Sequence, residues 1–375
     1  MKILNFNSGF LPDKGGVATY SWELTRHLSK NPQVNHVQVI AFNISEVTDD
    51  VATEKASDKY TIIRHKRGLV NFWTMGSKIF KYLIKYKDYD IIHATNFFPI
   101  GFWVMIWTKL LGKKYFITIY GTDTLTSLGS KKTKFLKALI MKQAAKIFSI
   151  SNSTTQKTLA KYNLPKEKFA TITPGVTTSF TDKINLNLRA DLGYLSDDFI
   201  ILVINHLVAR KGVDDVMRAV AKIDDEKIKL LIVGKGPERE NLENLAKELN
   251  IANRIKFMGR VDEVESYYKA ANILTLTSYY DNTGDIEGFG LVLVEAELRG
   301  LPVIGTNSGG IPETISDGVS GFIVGEREIE AIKEKILLLK NNPELYQKMG
   351  AAASEWAKQF DWTDIVAKHI EVYKK

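Results

Sequence analysis

The chain has 375 residues, 45% of them hydrophobic, and a formal charge of +8, which is apolar material enough for more than one core. It holds no cysteine, which excludes disulfides, thiolate metal sites and cysteine nucleophiles and fits a cytoplasmic protein. No apolar run reaches the roughly 18 residues that span a bilayer, and the strand-like start at residues 1–6 carries the expectation of no leader segment.

Short β-branched or aliphatic runs alternate with longer amphipathic stretches, the pattern of parallel sheets covered by crossover helices, so the fold class is α/β. Strands are expected at residues 2–7, 37–42, 61–64, 91–94, 115–120, 146–150 and 169–172. Between residues 174 and 188 strand periodicity stops and Pro, Gly, Thr, Ser and Asn cluster, which predicts domains at 1–180 and 181–355. Strands resume at residues 199–205, 229–233, 255–258, 273–277, 302–306 and 321–324.

Four motifs stand out in chain order. Gly15-Gly16-Val17 follows the first strand and opens an amphipathic stretch over residues 18–29; the glycines either make a tight turn or bring helix-start N–H groups to a phosphate. Asp88-Tyr89-Asp90 has the spacing of a metal-binding acidic triplet, but Asp90 immediately precedes a buried strand, so capping is expected and no metal. Gly234-Lys235-Gly236-Pro237 lacks the third glycine of a dinucleotide fingerprint and either carries a base or turns the chain. Glu287-Gly288-Phe289-Gly290-Leu291 leads into a helix on which Glu295 stands about a turn further on. Its first amides, near Gly290 and Leu291, can take a diphosphate, with a carboxylate at either edge.

With these stand Asp90-Ile91-Ile92-His93, Tyr120-Gly121-Thr122-Asp123, Ser149-Ile150-Ser151, Pro174-Gly175-Val176, a run from His206 through Arg210 and Lys211 to Gly212, Gly300-Leu301-Pro302-Val303 and Ser308-Gly309-Gly310-Ile311-Pro312-Glu313. In this order and spacing the chain resembles the GT-B glycosyltransferases of the family-4, group 1 type over nearly its full length. The resemblance implies two facing Rossmann-like domains, with a final helix, here residues 356–375, crossing back to the N-terminal domain. It implies that Lys211 meets the donor phosphates, Glu295 holds the ribose and Glu287 grips the transferred sugar. Gly16 would approach the diphosphate from the N-terminal domain, and Tyr120, Gly121 and Asp123 would line the sugar and acceptor side. His206 stands where many relatives have arginine, and Arg210 is the residue placed to restore that charge. Tyr120 stands where the family often has histidine. His93, at the end of a buried strand, is either a packed histidine or a cleft-lining one.

The implied activity is transfer with retention of a hexosyl or N-acetylhexosaminyl unit from a nucleotide sugar, UDP first and GDP second, to a hydroxyl acceptor such as a lipid-linked glycan, glycolipid or polysaccharide precursor. No cofactor and no metal are expected. The alternative is a non-catalytic sugar-nucleotide or carbohydrate-binding protein of the same fold.

Charge is divided unevenly: residues 1–180 carry +15 and residues 181–375 carry −7. Residues 78–146 hold 13 lysines, no arginine and three acids, interleaved with apolar and aromatic side chains. Lysine at about 1 kcal/mol each beside an anionic leaflet predicts peripheral docking on the inner face of the cell membrane. No recognition motif accompanies the charge, so nucleic acid is not the expected partner.

Overall fold

The computed structural model describes residues 1–13, 15–45, 47–125, 131–177, 184–281 and 284–375, with the backbone alone at Lys131. They form two compact units, Met1–Gly175 with Trp362–Lys375, and Val176–Asp361. The expected junction at residues 180 and 181 lies outside the described residues.

The first unit contains β1 (Lys2–Asn7), β2 (His36–Ile44), β3 (Val51–Ser57), β4 (Tyr60–Lys66), β5 (Ile91–Ala94), β6 (Phe116–Ile119), β7 (Lys146–Ser149) and β8 (Phe169–Thr171). They lie in the order β3-β4-β2-β1-β5-β6-β7-β8, parallel throughout except where β3 pairs antiparallel with β4. Strands β1, β5 and β6 are buried almost end to end, as expected where helices cover both faces of a parallel sheet, so most positions carry apolar side chains and the buried polar ones, such as His93 and Thr118, bond to one another. The unpredicted strand is β3, whose Val-Ala-Thr-Glu-Lys-Ala-Ser run is exposed along most of its length. It is an edge strand, and its charges discourage pairing with another chain.

Helices α1 (Gly16–Lys30), α2 (Phe72–Lys85), α3 (Phe102–Leu110), α4 (Thr122–Leu125), α5 (Lys131–Gln143) and α6 (Asn152–Tyr162) complete this part of the unit. Helix α2 starts where the Asn71 side chain accepts from Thr74 N–H, a capping bond worth about 1 kcal/mol. Its Met75, Ile79 and Leu83 are buried one turn apart, each contributing roughly 1.5–3 kcal/mol. Gly76 lets α3 approach: a Cβ there would lie 2.5 Å from the Trp103 ring, and Trp107 Nε1 donates to Gly76 O at 2.8 Å.

The second unit runs α7 (Leu188–Asp191), β9 (Phe199–Ile204), α8 (Val213–Ala221), β10 (Ile228–Val233), α9 (Arg239–Glu248), β11 (Ile255–Gly259), α10 (Glu265–Ala270), β12 (Ile273–Leu276), α11 (Leu291–Leu298), β13 (Val303–Thr306), β14 (Gly321–Val324), α12 (Ile329–Asn341) and α13 (Pro343–Ala357). Its sheet order is β11-β10-β9-β12-β13-β14, all parallel. The order proceeds outward from β9 on one side and from β12 on the other. Loops leaving the carboxyl ends of β9 and β12 therefore diverge, and this switch point is where open α/β sheets form a ligand crevice.

The expected single terminal helix over residues 356–375 is two helices. Trp356 Nε1 donates to Thr314 O at 2.7 Å and ties α13 to the second unit. A 3-10 turn at Lys358–Phe360 then breaks the helix, because the buried Phe360 turns inward against Phe289, ring centroids 5.6 Å apart. The chain ends in α14 (Trp362–Tyr373), which belongs to the first unit. There Trp362 covers Gly175, whose Cβ would lie 2.6 Å from the indole.

Candidate functional site

The two switch-point loops of the second unit are built on glycines that face main chain. After β9 the chain passes His206 and a 3-10 turn, Ala209–Lys211, to Gly212, which has φ 63°. A Cβ on Gly212 would lie 2.1 Å from Thr277 O on the loop after β12. Thr277 Oγ1 donates to Gly212 O at 2.7 Å, and Tyr279 N–H to Arg210 O at 2.9 Å. These contacts fix the two loops edge to edge.

Across that seam four charges meet. The Lys211 ammonium is bonded to Glu287 Oε2. Arg210 Nε pairs with Asp285 Oδ2 at 2.7 Å, and Arg210 Nη1 lies 3.9 Å from Glu287 Oε2. Ser278 Oγ also donates to Glu287 Oε2, at 3.1 Å. Burial by itself would raise the Glu287 carboxyl; the Lys211 charge and hydrogen bond, with Arg210 and Ser278, outweigh it and hold the group below the usual glutamate range.

Gly290, with φ 97°, begins α11, and no side chain caps the helix. The first amides of a helix have no intrahelical acceptor, and α11 has no acid in its first turn, whereas α8 carries Asp214 and Asp215 there. Of these two helix starts at the switch point, α11 is the one whose field favours an anion. Leu291 is its first residue and Glu295 stands one turn on, half-buried. The Gly309-Gly310 pair supports this turn from below: Gly310 N–H donates to Glu287 O at 2.9 Å, and a Cβ on Gly309 would lie 2.1 Å from that same oxygen.

Gly234, at φ 143°, packs against the β9 loop, where a Cβ would lie 1.7 Å from Asn205 O. Leu207 N–H donates to Lys235 O at 3.0 Å. His206 is exposed on that loop and makes no side-chain bond to the Lys211–Glu287 cluster among the described residues.

The first unit's own switch point lies between β1 and β5. Gly16 opens α1 beside Gly15, and a Cβ on either meets nothing within 4 Å, so the backbone here is accessible. The cleft-lining alternative for His93 is corrected: the residue is fully buried, its Nδ1 2.7 Å from Tyr373 Oη and its Nε2 2.8 Å from Thr118 Oγ1. Burial, with His369 nearby, pushes this imidazole down to about 3. Tyr120, expected to meet a sugar hydroxyl, is also turned inward. Its hydroxyl lies 3.3 Å from Ser21 Oγ, and burial raises it well above the usual phenol range. Gly121 has φ 96°. Asp123 Oδ1 accepts Tyr120 N–H at 3.0 Å, while buried Oδ2 has no hydrogen-bond partner among the described residues. Burial pushes that carboxyl up to about 6.

Asp88 pairs with Lys2, and Asp90 Oδ2 accepts Lys2 N–H at 2.7 Å, so this triplet ties β1 to the start of β5. Within the lysine-rich stretch, which crosses residues 126–130 outside the described residues, Lys137 is half-buried and donates to Asp123 O at 2.6 Å. It is thus not part of a solvated lysine face. Sequence reasoning gave no role to Asp285, Ser278, Tyr268 or Arg299. Only Arg299 carried a signal, standing one helical turn after Glu295.

Residues 186–356 match the family profile "Glycosyl transferases group 1" and residues 14–180 match "Glycosyltransferase Family 4". The chain is 28% identical over 375 residues to N-acetyl-alpha-D-glucosaminyl L-malate synthase of Bacillus anthracis, covering 96% of this chain and 94% of that one. It is 25% identical to a GDP-mannose-dependent alpha-(1-6)-phosphatidylinositol monomannoside mannosyltransferase of Mycobacterium tuberculosis, covering 98% and 96% of the two chains. Its fold matches that of HepE from Anabaena, solved in complex with UDP, with a TM-score of 0.78, 20% identity and 99% of both chains covered. With both halves matched and two parallel-sheet Rossmann-like domains in place, the chain belongs to the GT-B glycosyltransferases of the group 1, family 4 type.

Proposed function

We propose that the second unit binds a nucleotide sugar, UDP-sugar first and GDP-sugar second, and that the enzyme transfers its hexosyl or N-acetylhexosaminyl unit with retention to a hydroxyl acceptor. The observation that carries this is the convergence of Lys211, Arg210 and Glu287 across one seam, beside the uncapped, acid-free start of α11. As the bond from the anomeric carbon to the diphosphate breaks, negative charge grows on the leaving phosphate. Lys211, Arg210 and the α11 amides are placed to stabilise it, each such donor contributing roughly 2 to 4 kcal/mol. The acceptor oxygen forms its bond on the face the diphosphate leaves, and its proton passes to the departing phosphate oxygen. In this reading the charge on the leaving group is met by protein donors without a metal ion. Glu287 holds sugar hydroxyls and Glu295 the ribose. The activities of the relatives, N-acetylglucosaminyl and mannosyl transfer, support the hexosyl or N-acetylhexosaminyl class.

The first unit supports a reading of the acceptor class. Alongside its buried stripe, α2 carries a second apolar one, Trp73, Phe80 and Ile84, and this one is exposed, Trp73 by 73%. Phe80 packs on Trp107 of α3, ring centroids 4.8 Å apart, and Leu110 is exposed at the end of α3. Lys78, Lys81 and Lys85 lie on the same helix. No helix among the described residues is long and apolar enough to cross a membrane. Apolar side chains flanked by lysines support docking on an anionic leaflet and hence a lipid-linked acceptor or glycolipid.

Calorimetry with UDP-, GDP- and ADP-sugars tests the donor. Micromolar binding of a UDP- or GDP-sugar, undiminished by EDTA, is expected; binding of none of the three overturns the reading.

A further inference from the structure

Behind Glu295 lies a closed set of side chains that the donor-binding reading leaves unused. Tyr268, on α10 and fully buried, donates from Oη to Glu295 Oε2 at 2.6 Å. Arg299 wraps the same pair. Its guanidinium lies 4.7 Å from the centre of the Tyr268 ring, its Nη1 donates to Glu295 O at 2.5 Å, and its Nε donates to Glu265 Oε2 at 2.7 Å. Glu265 and Arg299 are themselves 5% and 11% exposed at their side chains. The phenol is therefore held between a buried cation and a half-buried carboxylate and can turn to neither side.

We infer that Tyr268 is a positioning residue for nucleotide binding, fixing the Glu295 carboxylate so that its other oxygen is presented to the ribose hydroxyls. This rests on the reading of Glu295 as the ribose ligand. One carboxylate oxygen, Oε2, is occupied by the phenol; Oε1 has no hydrogen-bond partner among the described residues. A carboxylate that must accept from two vicinal hydroxyls gains from a locked rotamer, because the ordering is done before the ligand arrives. Burial holds the phenol far above its usual range, so it remains a donor throughout the working pH range. Arg299 keeps the ring in place through its face, and Glu265 keeps Arg299 in place.

The test compares UDP with its 2′,3′-dideoxy analogue, and GDP with its analogue, by calorimetry on the full chain. Wild type is expected to bind the ribose form at least tenfold more tightly than the dideoxy form. Tyr268→Phe keeps the ring against Arg299 and removes only the hydroxyl. It is expected to weaken the ribose form about tenfold, as for loss of one charge-assisted bond, and to leave the dideoxy form unchanged. In a Glu295→Gln background, Tyr268→Phe should then cost less than twofold. Equal weakening of both forms by Tyr268→Phe would show a packing role and overturn the inference, as would undiminished UDP or GDP affinity. Failure of wild type to discriminate between the forms would instead remove Glu295 from the ribose and take the inference down with that reading.

Discussion

Lys211 and Glu287, 76 residues apart in sequence, are bonded to one another, although one is assigned to the phosphate and the other to the sugar. Each keeps the other oriented in a half-buried seam, and a ligand that presents both a phosphate and hydroxyls can satisfy the two at once. Lys211→Ala is accordingly expected to lower the transfer rate at saturating donor by roughly 100- to 1,000-fold. Steady-state kinetics with the donor found by calorimetry checks this, and unchanged kcat removes Lys211 from the leaving group.

The two glutamates should separate by ligand. Glu295→Ala is expected to weaken the free nucleoside diphosphate about tenfold or more, whereas Glu287→Ala should weaken the nucleotide sugar and turnover and leave the diphosphate within about twofold. Calorimetry with both ligands decides between this division and a shared role, in which both variants lose diphosphate affinity alike.

The glycines divide in the same manner. Gly234→Ala forces a Cβ to within 1.7 Å of Asn205 O at φ 143° and should destabilise the second unit by about 2 kcal/mol or more. Gly16→Ala meets nothing within 4 Å and should leave thermal stability unchanged. A loss of activity in Gly16→Ala at unaltered Tm therefore reports ligand approach; a lowered Tm would show a packing role instead.

A buried carboxyl gives a pH signature. Glu297 on α11 is fully buried and accepts from Ser320 Oγ at 2.6 Å, with its second oxygen unpartnered among the described residues. Burial raises it from 4.5 to about 8. The folded state thus holds a proton that the unfolded state has lost, so stability falls as pH rises from 4.5 to about 8. Glu297→Gln should match wild type near pH 4.5 and melt roughly 2 to 8 °C higher at pH 9. A pH-independent difference in Tm would show that the carboxyl does not titrate in this window.

The α2 surface is tested with vesicles. Wild type should co-sediment with anionic but not zwitterionic liposomes at low salt, and binding should fade as salt is added. Trp73→Ser with Phe80→Ser should weaken it about tenfold with activity on a soluble acceptor retained. No binding to anionic vesicles leaves a soluble acceptor.

The sheets were legible because buried parallel strands are almost uniformly apolar, as in Phe199–Ile204, and Val51–Ser57 was not, because an exposed edge strand carries no such pattern. The Lys211, Glu287 and Glu295 assignments came from motif order, which says nothing about partners. Asp285, Ser278 and Tyr268 reach those residues only through the fold. The choice left open at His93 and the inward turn of Tyr120 share one cause: their partners lie on α14 and α1, Tyr373 standing 280 residues from His93, and strand-end polarity cannot distinguish an inward bond from an open cleft.

Gly212, Gly234, Gly236, Gly309 and Gly310 each press against a main-chain carbonyl of a neighbouring loop. The shape of the switch-point crevice is thereby recorded in backbone packing, independent of the side chains that project from it. For redesign of donor preference this separates two libraries. Substitutions at exposed or loop-borne positions such as His206 and Asp285 can sample new sugars on an unmoved frame, whereas any library that includes the five glycines will be dominated by misfolded members.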